Sequence, residues 1–172
     1  MNQQTEIKLQ ISDTILKYKN GNIKYKGGFL DGKANGKGIG YYESGKKWYE
    51  GEWINNKYEG NGKLYYKNGN LGYEGEWKLG KRHGHGSYMF KTGPIYKGHW
   101  DCGKMSGKGT MIFDNYSQYE GNWLNGCMHG FGILKINENF IYSGMWKNGK
   151  LDGPSTFWDM YARIRFVDMG AT

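Results

Sequence analysis

Rings and charges alternate along this chain. Between residues 49 and 54, Tyr49, Gly51 and Trp53 take one parity, and Glu50, Glu52 and Ile54 take the other. A period of two is that of a β-strand with one aromatic face and one mostly charged face. The next stretch, "NNKYEG" at 55–60, reads as a turn. Alternation then resumes, with Gly60, Gly62, Leu64 and Tyr66 against Asn61, Lys63, Tyr65 and Lys67, and predicts a second strand. Asn68–Gly69 follows, the residue pair that favours a tight hairpin turn. Further on, the inward sets Gly84, Gly86, Tyr88, Phe90 and Gly107, Gly109, Met111, Phe113 predict the same hairpin.

This alternation sits inside a repeat. "YKGGFLDGKANGKG" starts at Tyr25, "YEGEWINNKYEGNG" at Tyr49, "YEGEWKLGKRHGHG" at Tyr73, "YKGHWDCGKMSGKG" at Tyr96, "YEGNWLNGCMHGFG" at Tyr119 and "YSGMWKNGKLDGPS" at Tyr142. The starts are 24, 24, 23, 23 and 23 residues apart. A lone hairpin is marginal in water, so neighbours must share the aromatic face. The expected fold class is therefore all-β: an elongated, single-layer antiparallel sheet, a solenoid-like meander advancing about 10 Å per repeat. Glycine weakens a strand unless something needs the room. Here the expected need is a neighbouring ring lying close to bare backbone.

The ends depart from the pattern. Leu16 and Tyr18 align with Leu64 and Tyr66, Asn20–Gly21 recurs, and Ser12 and Thr14 replace the inward glycines. Residues 1–24 are thus expected to form a half-repeat cap, 25–157 six repeats, and 158–172 a C-terminal cap. In that last segment Ala162, Ile164 and Phe166 alternate with Arg163 and Arg165. A terminal strand is expected, with a short helix as the alternative.

Composition narrows the class. The chain has 30 Gly, 15 Tyr and 7 Trp but only 2 Pro in 172 residues. Flexible linkers and disordered chains lack such rings, and collagen needs proline with a strict triplet. The net charge of +8 favours acidic partners, whether phosphates, lipid headgroups or protein. Two cysteines imply no disulfide framework, and Met1–Gln10 carries no apolar signal core. A cytoplasmic protein is the expectation.

"GHWDCGK", from Gly98, fits most of a phosphate-binding loop. The spacing Gly-x4-Gly-Lys also occurs at Gly27, Gly75 and Gly144. The residue after it is Ala34, Arg82, Met105 or Leu151, never the Ser or Thr that would hold magnesium. The spacing belongs to the repeat.

The blocks resemble the MORN repeat, Y-x-G-x-W followed by G-x-x-x-G-x-G, over residues 25 to about 157. Tyr, the first Gly and Trp recur together in five copies, and Phe29 replaces Trp in the first. The resemblance implies a twisted antiparallel sheet and, mainly, scaffold proteins. Some members occur in ciliary structures such as radial-spoke heads, others in parasite cytoskeletons or at membrane contacts. Members with an added lipid-kinase or methyltransferase domain are poor guides, because too few residues follow the last repeat.

No catalytic, cofactor or metal set is expected. His83 and His129 share a repeat position two repeats apart, about 20 Å, so no zinc site closes between them. Solvent-facing turn positions are expected for the histidines. Cys102 and Cys127 have no base beside them by repeat logic. Glu50, Glu52, Glu74 and Glu76 read as a solvated face, with Lys63 or Lys67 as cross-strand partners. Nucleic acid is disfavoured, since inward rings cannot stack on bases.

Two features remain. The position eight residues after each repeat Tyr is Lys33, Lys57, Lys81, Lys104, Cys127 and Lys150. Such a column protects a sheet edge from aggregation or faces acidic phospholipid or protein. The outward face of the last two repeats carries Leu124, Phe131, Ile133, Met145 and Trp158. Apolar residues on both faces of a strand mean that both are covered. The C-terminal tail, a protein partner in a larger assembly, or a second copy would cover them.

Overall fold

The computed structural model describes residues 11–137, 140–159 and 165–167. Among these residues there is no helix, and fourteen strands follow in chain order as an open antiparallel meander. The chain divides into two compact units, Met1–Leu71 with Trp77–Gly80, and Gly72–Glu76 with Lys81–Thr172. The first holds β1 (Ser12–Lys17), β2 (Ile23–Leu30), β3 (Lys33–Tyr41), β4 (Lys47–Ile54) and β5 (Lys57–Tyr65). β6 (Leu71–Lys78) is divided between the units. The second unit continues with β7 (Lys81–Met89), β8 (Ile95–Asp101), β9 (Lys104–Ile112) and β10 (Gln118–Leu124). It ends with β11 (Cys127–Ile136), β12 (Phe140–Lys147), β13 (Lys150–Asp159) and β14 (Arg165–Val167).

The tight turns are not where Asn68–Gly69 suggests. Two-residue turns lie at the opposite ends of the hairpins, at Asn55–Asn56 (φ 50° and 64°), Cys102–Gly103 (49° and 89°) and their equivalents. Positive φ at both residues matches the right-handed twist of the strands it joins. The segment 57–60, expected as turn, is therefore already strand. Asn68–Gly69 sits in a five-residue connection, 66–70. There the Gly69 N–H donates to Tyr66 C=O at 2.8 Å and the Tyr66 N–H to Asn70 C=O at 2.8 Å. Gly69 itself takes φ 96°, the left-handed residue that ends such a loop.

The ring face forms the core. Tyr49, Tyr73, Tyr96 and Tyr119 are fully buried, and Trp53, Trp77, Trp100, Trp123 and Trp146 are nearly so. Each Tyr lies over the second glycine of the strand that follows it. A Cβ on Gly62 would strike the Tyr49 ring, and one on Gly86 the Tyr73 ring. Facing glycines such as Gly51 and Gly62 bring two backbones too close for any side chain between them. Tyr49 meets Trp77 edge to face at 5.7 Å, Tyr96 meets Trp123 at 5.1 Å, and Tyr119 meets Trp146 at 5.3 Å. Aromatic pairs prefer this arrangement, which places the positive ring edge against the negative face.

The first glycine of each odd strand from β3 to β13 has another reason. Pairing of β8 with β9 breaks between Gly98 and Trp100, and Gly107 falls in the break at φ 59°. It is a bulge residue. Gly107 is exposed, and a Cβ there would meet His99 no closer than 3.4 Å. Ring room, the sequence-based reason, applies to Gly86 and Gly109 and not to Gly84 or Gly107. Phe90 and Phe113 lie just past their strands.

At the C-terminus, the backbone of β14 pairs with β13, Phe166 opposite Thr156. The expected alternation at Ala162 and Ile164 lies outside the described residues.

Candidate functional site

With the rings closing one face, chemistry is left to the other. The outward side of the first unit carries a trough of about 720 Å³ across β1–β5. Its walls hold Lys26 and Lys37 with Asp13, Glu50 and Glu52. Three carboxylates thus face two lysines. Lys47 Nζ donates to Glu50 Oε2 at 2.9 Å, and the Tyr65 hydroxyl donates to the same oxygen at 3.4 Å. The Lys47 bond holds the Glu50 carboxyl below its ordinary range, and it raises Lys47. Lys37 stands opposite Glu52, and Lys63 opposite Glu50 as the alternation predicts.

The second unit has a corresponding trough of about 440 Å³ across β8–β11. Its chemistry differs. One end carries Lys97 and Lys108 and the other Phe131 and Ile133, with Glu120 between. Phe131 is 52% exposed, Ile133 41% and Met145 49%. Pairing sets Phe131 directly against Met145, and Ile133 against Glu120 and Ser143. Asn122 Nδ2 donates to the Phe131 carbonyl at 3.2 Å and steadies that strand.

The five residues expected at an interface are thus only partly gathered. Phe131, Ile133 and Met145 form one patch. Leu124, also exposed, stands at the hairpin end opposite Cys127. The Trp158 backbone pairs with Ile141. Lys97 and Lys108 were missed because they lie outside the apolar positions. Their outward parity beside Gly98 and Gly109 was the available signal.

The lysine column has a structural origin. Lys33 and Lys57 open β3 and β5 in the first unit, while Lys81, Lys104 and Lys150 open β7, β9 and β13 in the second. Each follows a two-residue turn and is exposed. Ile54 and Leu79 in the first unit and Leu124 in the second are exposed at the same hairpin ends.

The histidines sit in strands, not turns. His85 pairs with His99 across β7 and β8, their rings 5.5 Å apart, and His83 lies 6.5 Å from His99. His83 Nδ1 is 3.5 Å from Asp101 Oδ1, and His85 Nδ1 is 3.7 Å from Glu76 Oε1. Among the described residues no three His, Cys, Asp or Glu side chains are placed to hold a metal ion. Nor is any helix there long and apolar enough to cross a membrane.

A hairpin repeated in register, with rings on one side and grooves on the other, defines a β-repeat protein. The chain belongs to the MORN-repeat family: the MORN repeat matches residues 25–47, 49–71, 73–94, 96–118, 119–137 and 142–158. A search of curated proteins returned no match.

Proposed function

We propose that this protein is a non-catalytic scaffold that docks other proteins into a larger assembly through the outward face of its last repeats. The observation that carries this reading is the exposed patch of Phe131, Ile133 and Met145. Large apolar side chains grouped on a polar surface mark interaction sites. The family's ciliary and cytoskeletal members make an axonemal, radial-spoke-like or other cytoskeletal complex the assembly to search first. The test is size-exclusion of the tagged chain from its native extract, beside Phe131→Asp and Trp158→Asp. Both variants should fold and migrate alone, while the parent migrates in a complex. Both variants still entering the complex would place the interface elsewhere.

A second reading rests on a separate observation, the exposed lysines and apolar tips at the two-residue turns. Lysines over anionic lipid gain up to about 1 kcal/mol each, and apolar tips add insertion into the headgroup layer. Co-sedimentation with acidic liposomes should then fall with salt and vanish on charge reversal at Lys57, Lys81 and Lys104. No binding at low salt would leave these lysines as edge protection.

A further inference from the structure

The two troughs share one backbone design and differ in the balance of charge on their walls. In the first unit Lys26 and Lys37 face three carboxylates, Asp13, Glu50 and Glu52. In the second, Lys97 and Lys108 are both exposed, and neither has an ion-pair partner among the described residues. Glu120 is the one acidic residue among those lining that trough. The basic end runs directly into the apolar end at Phe131 and Ile133.

We propose that the trough across β8–β11 binds a protein segment in which an acidic side chain precedes a large apolar one by about three residues. This rests on the docking reading above and names the chemistry of the partner. Lys108 lies on β9 and Phe131 on β11, two strands apart. At about 4.8 Å per strand that is about 10 Å, the reach of three residues of extended chain. A carboxylate over Lys108 therefore sets the third residue beyond it over Phe131. Lys97, on β8 opposite Thr110, lies two residues along from Lys108 and adds positive charge at the same end of the trough. The charges give orientation and selectivity, and the buried apolar anchor gives most of the affinity. The trough of the first unit, with three carboxylates against two lysines and without a Phe131 equivalent, does not take this ligand.

The probe is a labelled twelve-residue peptide repeating Glu-Ser-Ser-Leu, read by fluorescence anisotropy with the full chain. Control peptides repeat Lys-Ser-Ser-Leu and Glu-Ser-Ser-Ser. The first should bind about tenfold more tightly than either control, and less tightly as salt rises. Phe131→Asp, and the pair Lys97→Glu with Lys108→Glu, should each weaken it about tenfold. The pair Lys26→Glu with Lys37→Glu should leave it unchanged. Absence of binding, or equal binding of the lysine peptide, overturns the proposal. A marked fall in Tm for Phe131→Asp also overturns it, because the chain's own residues would then cover the patch. So does a dimer in light scattering that this variant dissolves, since the occupant would then be a second copy. If peptide binding fails but Phe131→Asp still blocks entry into the native complex, the docking function stands and only the partner's chemistry is wrong.

Discussion

The indole N–H of Trp77 donates to the carbonyl oxygen of Gly62 at 3.2 Å. Gly62 lies on β5, in the preceding hairpin, under the ring of Tyr49. One glycine thus accepts a ring from its own repeat and a hydrogen bond from the next. Trp53 bonds Gly38, Trp100 bonds Gly86, Trp123 bonds Gly109 and Trp146 bonds Gly132 in the same way. Replacing Trp77 by Phe keeps a ring but removes that hydrogen bond. The expected loss is about 0.5–1.5 kcal/mol in urea denaturation. A change below the scatter of the fit would show that the bond adds nothing to the packing.

The second glycines should be the least replaceable. At Gly86 a Cβ would lie 2.6 Å from Tyr73 Cε2, and that ring is fully buried. Gly86→Ala is expected to cost about 2–3 kcal/mol, against about 0.5 kcal/mol or less for Lys97→Ala on the outward face. Matching Tm shifts for the two would remove ring-over-glycine packing as the basis of the core.

Leu79 is a natural weak point. It takes φ 52° in a two-residue turn and is 65% exposed. A left-handed Leu costs roughly 1–2 kcal/mol that Asn largely avoids. Its backbone N–H donates to Glu59 Oε2 at 2.9 Å, a bond that substitution leaves intact. Leu79→Asn should therefore raise stability by about 0.5–1 kcal/mol. If Leu79 also inserts into lipid, the same variant should lose liposome binding. A less stable variant would mean that the Leu79 side chain has contacts beyond the turn.

Alkaline pH should unfold the protein through its tyrosines. Burial pushes the Tyr119 hydroxyl up to about 12, and it raises Tyr49, Tyr73 and Tyr96 as well. In the unfolded chain each ionises near its ordinary value of about 10. A raised native value means that the stability is present in full below pH 10. It is lost as pH rises from there through about 12, because only the unfolded state releases the proton. Absorbance at 295 nm should show a late tyrosinate step that coincides with loss of ellipticity. All tyrosines titrating near pH 10 with the fold intact would contradict this.

The hairpin content was legible in the chain because a period of two needs no tertiary information. Six copies of Tyr-x-Gly located every hairpin. The turns were misplaced. Asn-Gly pairs occur at both ends of the hairpins, as at Asn68–Gly69 and Asn125–Gly126, and composition alone does not rank them. Pairing ranks them, because only at the second site do the flanking strands close over two residues. Gly84 and Gly86 also look equivalent in sequence. The bulge separates them, giving one an unusual backbone and the other a ring.

Spacing was read correctly and not understood. The steps from Tyr25 to Tyr49 and from Tyr49 to Tyr73 are 24 residues, and the three that follow are 23. Pairing of β3 with β4 jumps from Gly40–Tyr49 to Tyr41–Lys47, so Trp48 is an extra, bulged residue. In β7 and β8 the matching pairs run Tyr88–Tyr96 and Met89–Ile95 without a jump.

By itself, then, the sequence determined the repeat, the buried face and the apolar outward positions, since each depends only on alternation along one strand. Tertiary structure decided which outward residues are neighbours. It set Phe131 against Met145, left Leu124 at the hairpin end, and brought Lys97 and Lys108 into one trough with Phe131. Register between strands fixes those distances, and register depends on bulges and turns that alternation along a single strand does not encode.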